Sequence, residues 1–191
     1  MKAIYARHLD IVLKHEVPEQ LPGFEYFKPR LSKIERAKSK LEPGDRIFQK
    51  SAGDKIRLFL IFSTHPRQEE FNLEIGWSTK GRFPADLEMP STSPSPDNAE
   101  MLADEGVVGF YNLYPRVTGK SHLGWAVWRC SVTIDHPRFR EIFVQEDLQE
   151  VTEEKASERV KKAVSDCLAD IKSVALPYFE RLVQIKCNAT P

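Results

Sequence analysis

The chain has 191 residues, 41% of them apolar and 10% aromatic, enough for one domain that buries roughly 70% of the surface its unfolded form exposes. Its 28 Lys+Arg offset 28 Asp+Glu, so no overall field draws it to nucleic acid or to an anionic membrane. The same composition speaks against wholesale disorder and against a need for a metal or disulfide staple.

Charge is nevertheless uneven along the chain. Basic residues dominate between Lys28 and Arg57, and acidic residues dominate between Glu141 and Glu158. Such a division can orient a partner with a complementary face, although two solvated surfaces would look the same in sequence. Cys130, Cys167 and Cys187 are odd in number and show no CxxC spacing, which suits free thiols in a reducing compartment. The segment MKAIYARHLDIVLKHEV carries His8, Asp10, Lys14 and His15 through its apolar pattern, unlike a signal peptide. No apolar run approaches the roughly 20 residues that span a bilayer. A cytoplasmic protein is the expectation.

In chain order, Ile4, His8, Leu9, Ile11, Val12 and Leu13 predict a helix over 1–15, stopped by Pro18. LPGFEYFKPR follows as a loop or short strand whose aromatics plug the edge of a core. Leu31, Ile34 and Leu41 have loosely helical spacing and end at Pro43-Gly44. The period then changes. Arg46 to Gln49 reads as extended, Ser51 to Asp54 as a turn, and Lys55 to Ser63 as a strand. Apolar Phe59 and Ile61 among its out-of-phase positions predict cover on both faces there. After a turn at His65-Pro66-Arg67, EFNLEIGWS gives the clearest strand, with Phe71, Leu73, Ile75 and Trp77 on one face.

Lys80 to Asn98 is a Pro/Ser-rich loop, of a length that is usually functional or mobile. A short helix is expected around Asn98 to Glu105, then strands over Val107–Tyr114 and His122–Ile134 with a turn near Thr118-Gly119-Lys120. Thr152 is a good N-cap with Glu153 and Glu154 behind it. Ala156, Val160, Ala163, Val164, Cys167, Leu168, Ile171, Val174 and Ala175 trace one apolar stripe. Pro177 should break or kink that helix and start a final short one. The resulting expectation is a single α+β domain over 1–191. An antiparallel sheet of about five strands within 46–134 is covered on one face by the N-terminal helix and by C-terminal helices over 152–186.

GFEYFKPR, the hairpin RIFQKSAGDKIRLFLIF, the strand end Ile75-Gly76-Trp77 and the closing run Leu176-Pro177-Tyr178-Phe179-Glu180-Arg181-Leu182 together resemble uncharacterised bacterial proteins of the DUF4304 type. The resemblance spans most of the chain, the Lys80–Asn98 loop excepted. It implies a small α+β domain and brings no activity and no catalytic residues.

No phosphate-cradling, dinucleotide or nucleophile-elbow motif occurs, and H-E-x-x-H is absent. His8 and His15 are seven residues apart, wider than the i, i+4 pair that chelates a metal, so neither a metal nor a cofactor is expected. Cys130 reads as an inert buried thiol, and His65 and His136, each before a proline, as turn residues. The candidate binding residues are Arg46, Lys50, Arg57, Asn72, Glu74 and Trp77, some of which line the sheet face away from the helix if the strands pair as hairpins. Arg and Trp are favoured at interfaces, whereas the plainer reading is cross-strand ion pairs such as Arg57 with Glu74.

The favoured expectation is a non-enzymatic protein-binding domain, most concretely a bacterial immunity or accessory protein paired with a toxin or defence-system component. One alternative is a small metal-dependent hydrolase or nucleic-acid-processing enzyme using Glu70 and Glu74 with Arg57 or Lys50. The other is a small-ligand sensor or a homodimer whose interface contains Trp77 or Trp125.

Overall fold

Two-residue alternation in the central strands decides the architecture, because it sends one set of apolar side chains to each side of a sheet. The computed structural model describes residues 1–33, 41–42, 44–65, 69–84, 103–122, 124–127 and 151–188. Strands β1 (Glu25–Phe27), β2 (Arg46–Ser51), β3 (Arg57–Thr64), β4 (Glu70–Ser78) and β5 (Glu105–Gly109) pair antiparallel in that order. A short β6 (Trp125–Ala126) pairs with the start of β4, where β5 does not reach.

On one face Phe48, Leu58, Leu60, Phe62, Phe71, Leu73, Ile75 and Trp77 join the main core. Helix α1 (Ala3–Gln20) and the C-terminal helices cover it, contributing Leu9, Leu13, Val17, Val160, Val164, Leu168 and Leu182. The opposite face holds a second cluster of Ile47, Phe59, Ile61, Phe83 and Val107, with Phe27, Leu31 and Leu41 packed on it. The expected cover on both sides of Phe59 and Ile61 is therefore present. No helix among the described residues is long and apolar enough to cross a membrane.

The α+β class and the antiparallel sheet match the sequence reading, and β4 matches its expected span. Three expectations need correction. Helix α1 passes the expected end at His15 and holds Pro18 inside its last turn. The carbonyl that an N–H at position 18 would serve belongs to exposed Lys14, on the solvent side where water can take it. Meanwhile Leu21 N–H donates to the Val17 carbonyl, and both side chains are buried.

The expected strand over Val107–Tyr114 ends at Gly109, and helix α2 (Phe110–Thr118) follows directly. Phe110, Leu113 and Tyr114 have helical spacing and pack on the main core. Gly119 is a left-handed helix cap (φ 71°) whose N–H donates to the Pro115 carbonyl, not a hairpin turn. The helix expected around Asn98 to Glu105 is absent in its described part: Ala103–Asp104 bend and Glu105 opens β5. At Pro177 a final short helix begins, as the sequence suggested. Helix α3 (Glu153–Asp170) joins α4 (Leu176–Asn188) through a π turn, Ile171–Ala175, and is not broken. The Leu176 N–H reaches back five residues to the Ile171 carbonyl, and Pro177, lacking a donor, lies in the first turn of α4.

Several expectations lie outside the described residues: most of the Lys80–Asn98 loop, residues 34–40, Cys130, His136, the strand beyond Val127 and Glu141–Glu150. Cys167 is a buried free thiol and Cys187 an exposed one.

The helices are held together by polar contacts at their ends. Thr152 caps α3 by accepting from Lys155 N–H, as its sequence suggested. Glu153 is clasped by Arg7 and, at 2.7 Å, by His8 of α1. Asp170, at the π turn, accepts from Trp125 Nε1 at 3.0 Å and lies 3.6 Å from His122 Nε2. His122 packs edge-on or tilted against the rings of Phe110, Tyr114 and Trp125, so this cluster ties α2 and β6 to the joint of the long helix.

Two paired carboxylates, Glu153 and Asp10, make acid stability testable. The Arg7 and His8 hydrogen bonds hold the Glu153 carboxyl below the usual carboxylate range. Burial pushes Asp10 upward, but Lys14 and Arg46 outweigh it and hold it below its ordinary value. A carboxyl depressed in the folded state stabilises above the unfolded pKa of about 4 and loses that stability as pH falls through the folded value. Asp45, raised by burial, works in the opposite sense. Urea midpoints should therefore fall below about pH 4. Asp10→Asn should cost about 0.5–1 kcal/mol at pH 6, and Asp10→Asn with Glu153→Gln should flatten the acid decline. An unchanged slope in the double variant would refute the assignment.

Candidate binding groove

The six sequence candidates do not share a face. Arg57, Asn72 and Glu74 lie on the side of the second cluster, while Arg46, Lys50 and Trp77 lie on the helix side. The error is one of register: Arg46, Phe48 and Lys50 alternate together, and Lys50 stands directly opposite Leu58, which fixes them on the helix-covered face. Trp77 is wholly buried, donates from Nε1 to the Ala103 carbonyl at 3.2 Å and meets the Tyr178 ring. Trp125 is also buried, which removes both tryptophans from any surface a second copy could use.

The suggested Arg57–Glu74 pair does not form across the strands. Arg57 faces Ser78 while Glu74 faces Ile61, a stagger of roughly 13 Å along the sheet. Arg57 donates instead to the carbonyls of Gly53 and Ile56. Glu70 and Glu74 have the same four-residue stagger along β4, wider than a shared cation requires. Arg46 is committed to α1, donating to Asp10 Oδ1 at 3.3 Å and to the Ala6 carbonyl at 3.2 Å. Asn72 lies against Gly124, where an added Cβ would come within 2.4 Å of its Oδ1. His8 and His15 are also separated, the first on Glu153 and the second beside Glu16 and Glu19.

Lys50 has a different setting. It lies at the end of β2 where the helical cover thins, and it lines a cavity of about 310 Å³ between the β2–β3 hairpin and α4. Phe24, Ala52, Leu58, Leu176, Phe179 and Val183 make the apolar surface, and Lys50, Glu180 and Gln184 are its polar members. Such a volume, largely apolar with a few placed polar groups, is typical of sites that take a ligand or an anchoring side chain. The Phe24 and Phe179 rings, 6.1 Å apart, join its two sides.

Backbone geometry positions the lysine. Gly23 has φ 87°, a left-handed conformation that turns the chain after α1. A Cβ there would lie 3.3 Å from Lys50 Cε and 3.5 Å from Cδ, so the bare glycine leaves room for the lysine stem. The ammonium sits 5.7 Å from the centre of the Phe24 ring, within cation–π range. On the other wall Glu180 and Gln184 are one helical turn apart on exposed positions. Among the described residues neither Lys50 nor Glu180 forms an ion pair. Opposite charges thus border one apolar opening without neutralising each other.

Sequence reasoning found Lys50 but singled out no residue of α4 for the site. The available signal was Leu176, Phe179, Glu180, Val183 and Gln184 at i, i+3, i+4, i+7 and i+8, a stripe beside the buried Tyr178 and Leu182. An apolar arc wider than one buried face leaves part of itself for the groove. A scan against family models, a search of curated proteins and a search of solved structures each found no match.

Proposed function

We propose that the chain is a non-catalytic protein-binding domain and that the groove between the β2–β3 hairpin and α4 is its docking site. The carrying observation is the open apolar cavity bordered by Lys50 and Glu180, neither of which forms an ion pair among the described residues. A partner anchors an apolar side chain in it and matches the two charges at the rim, the arrangement that concentrates binding energy in a few residues. The concrete form of this reading is a bacterial immunity or accessory protein whose partner is a toxin or defence-system component.

The test is site-specific capture from cells. A photo-crosslinking residue at Val183, on the groove, should trap one stoichiometric partner. The same residue at exposed Val117 on α2 should not. Ala52→Arg, which fills the groove from its half-exposed wall, should abolish the capture. A partner retained equally by Ala52→Arg refutes this docking site.

A further inference from the structure

We infer that the groove recognises the C-terminal residue of a partner polypeptide, with its chain carboxylate at Lys50 and its apolar side chain against the half-buried Ala52, Leu176 and Val183. This rests on the groove being the docking site and names what enters it.

The charges decide the chemistry. Lys50 offers a cation whose stem is held between Gly23 and the Phe24 ring, so little side-chain freedom is lost when an anion binds. The far wall offers the Glu180 carboxylate, which can only accept, and the Gln184 amide, which can accept and donate. An occupant therefore needs an anionic group, an apolar body, and N–H donors on the side away from the anion. The last residue of a chain has all three within one residue: its carboxylate, its side chain, and the amide N–H groups that precede it. A fatty acid supplies the first two but leaves Glu180 with a like charge and no donor. An internal apolar residue supplies side chain and N–H but brings Lys50 no carboxylate of its own.

The experiment uses the full chain and fluorescence polarisation with labelled, N-acetylated hexapeptides ending in Leu, Val or Phe. Each is prepared as the free acid and as the C-terminal amide. Acids should bind about tenfold or more tightly than amides, the scale of one charge-assisted hydrogen bond. Lys50→Met should erase that preference and Lys50→Arg should keep it. Glu180→Gln should weaken acid and amide alike. Unlabelled decanoate and free leucine serve as competitors. Equal binding of acids and amides, or competition by decanoate alone, overturns the inference. Should acids show no advantage while Ala52→Arg still abolishes the Val183 capture, the docking site stands and C-terminal recognition falls. Should Ala52→Arg leave the capture intact, the docking site itself falls.

Discussion

Trp77→Ala is expected to lower the unfolding free energy by about 3–5 kcal/mol, with little change in the urea m-value. Trp77 is the largest fully buried side chain of the described residues, and its indole nitrogen is satisfied by the Ala103 carbonyl. Truncation leaves a void where the indole stood, while the carbonyl of the exposed Ala103 is left to water. The indole also explains Gly106, its register partner on β5. A Cβ at position 106 would lie 2.3, 2.5 and 3.0 Å from three indole atoms, the first two too close for the indole to stay where it is. Gly106→Ala alone should therefore cost about 1–3 kcal/mol by overpacking. In the Trp77→Ala background the clash partner is gone and the same change should be nearly neutral. Chemical denaturation of the four proteins closes the cycle. Additive losses would contradict the packing described.

Phe59→Ala is expected to cost a similar 3–5 kcal/mol, although Phe59 faces away from α1 and from the C-terminal helices. Its ring centre lies 5.0 Å from that of Phe83 and 5.8 Å from that of Phe27, and the residue is fully buried with Ile61 and Val107. An open sheet face would make the change nearly silent, since exposed truncations stay within about 0.5 kcal/mol. The measured loss thus separates a sheet covered on both sides from one with a free surface. Phe83→Ala, in the layer above, should give a smaller loss and show additivity failure with Phe59→Ala.

How much of this was legible in the sequence depends on the range of the forces involved. Local signals carried β4, whose alternation is unbroken, and α3, whose cap Thr152 and stripe are contiguous. They failed at Phe110–Thr118, where an apolar run suits either period until packing chooses, and where Gly119 mimics a hairpin turn while capping a helix. The candidate site failed for a different reason. Lys50, Trp77 and Arg57 belong to one hairpin region, but which face each takes is set by pairing register, and that register depends on residues in other strands. Glu180 and Gln184 lie far from Lys50 in sequence, and nothing local announces that they border a common opening. Gly23 was visible as a breaker, yet its accommodation of the Lys50 stem exists only in three dimensions.

That long-range construction of the groove has a consequence in time. One wall comes from residues 50–58 and the other from residues 176–184. A chain emerging from the ribosome makes the sheet wall early and gains a binding-competent surface only when α4 settles onto it. The same geometry makes an occupant a clasp across the two ends of the folding sequence. Saturation at about 100 times Kd should stabilise the clasped state by about 2.7 kcal/mol if the opened helix does not bind. Amide exchange should register this first in α4, the segment whose release would open the groove.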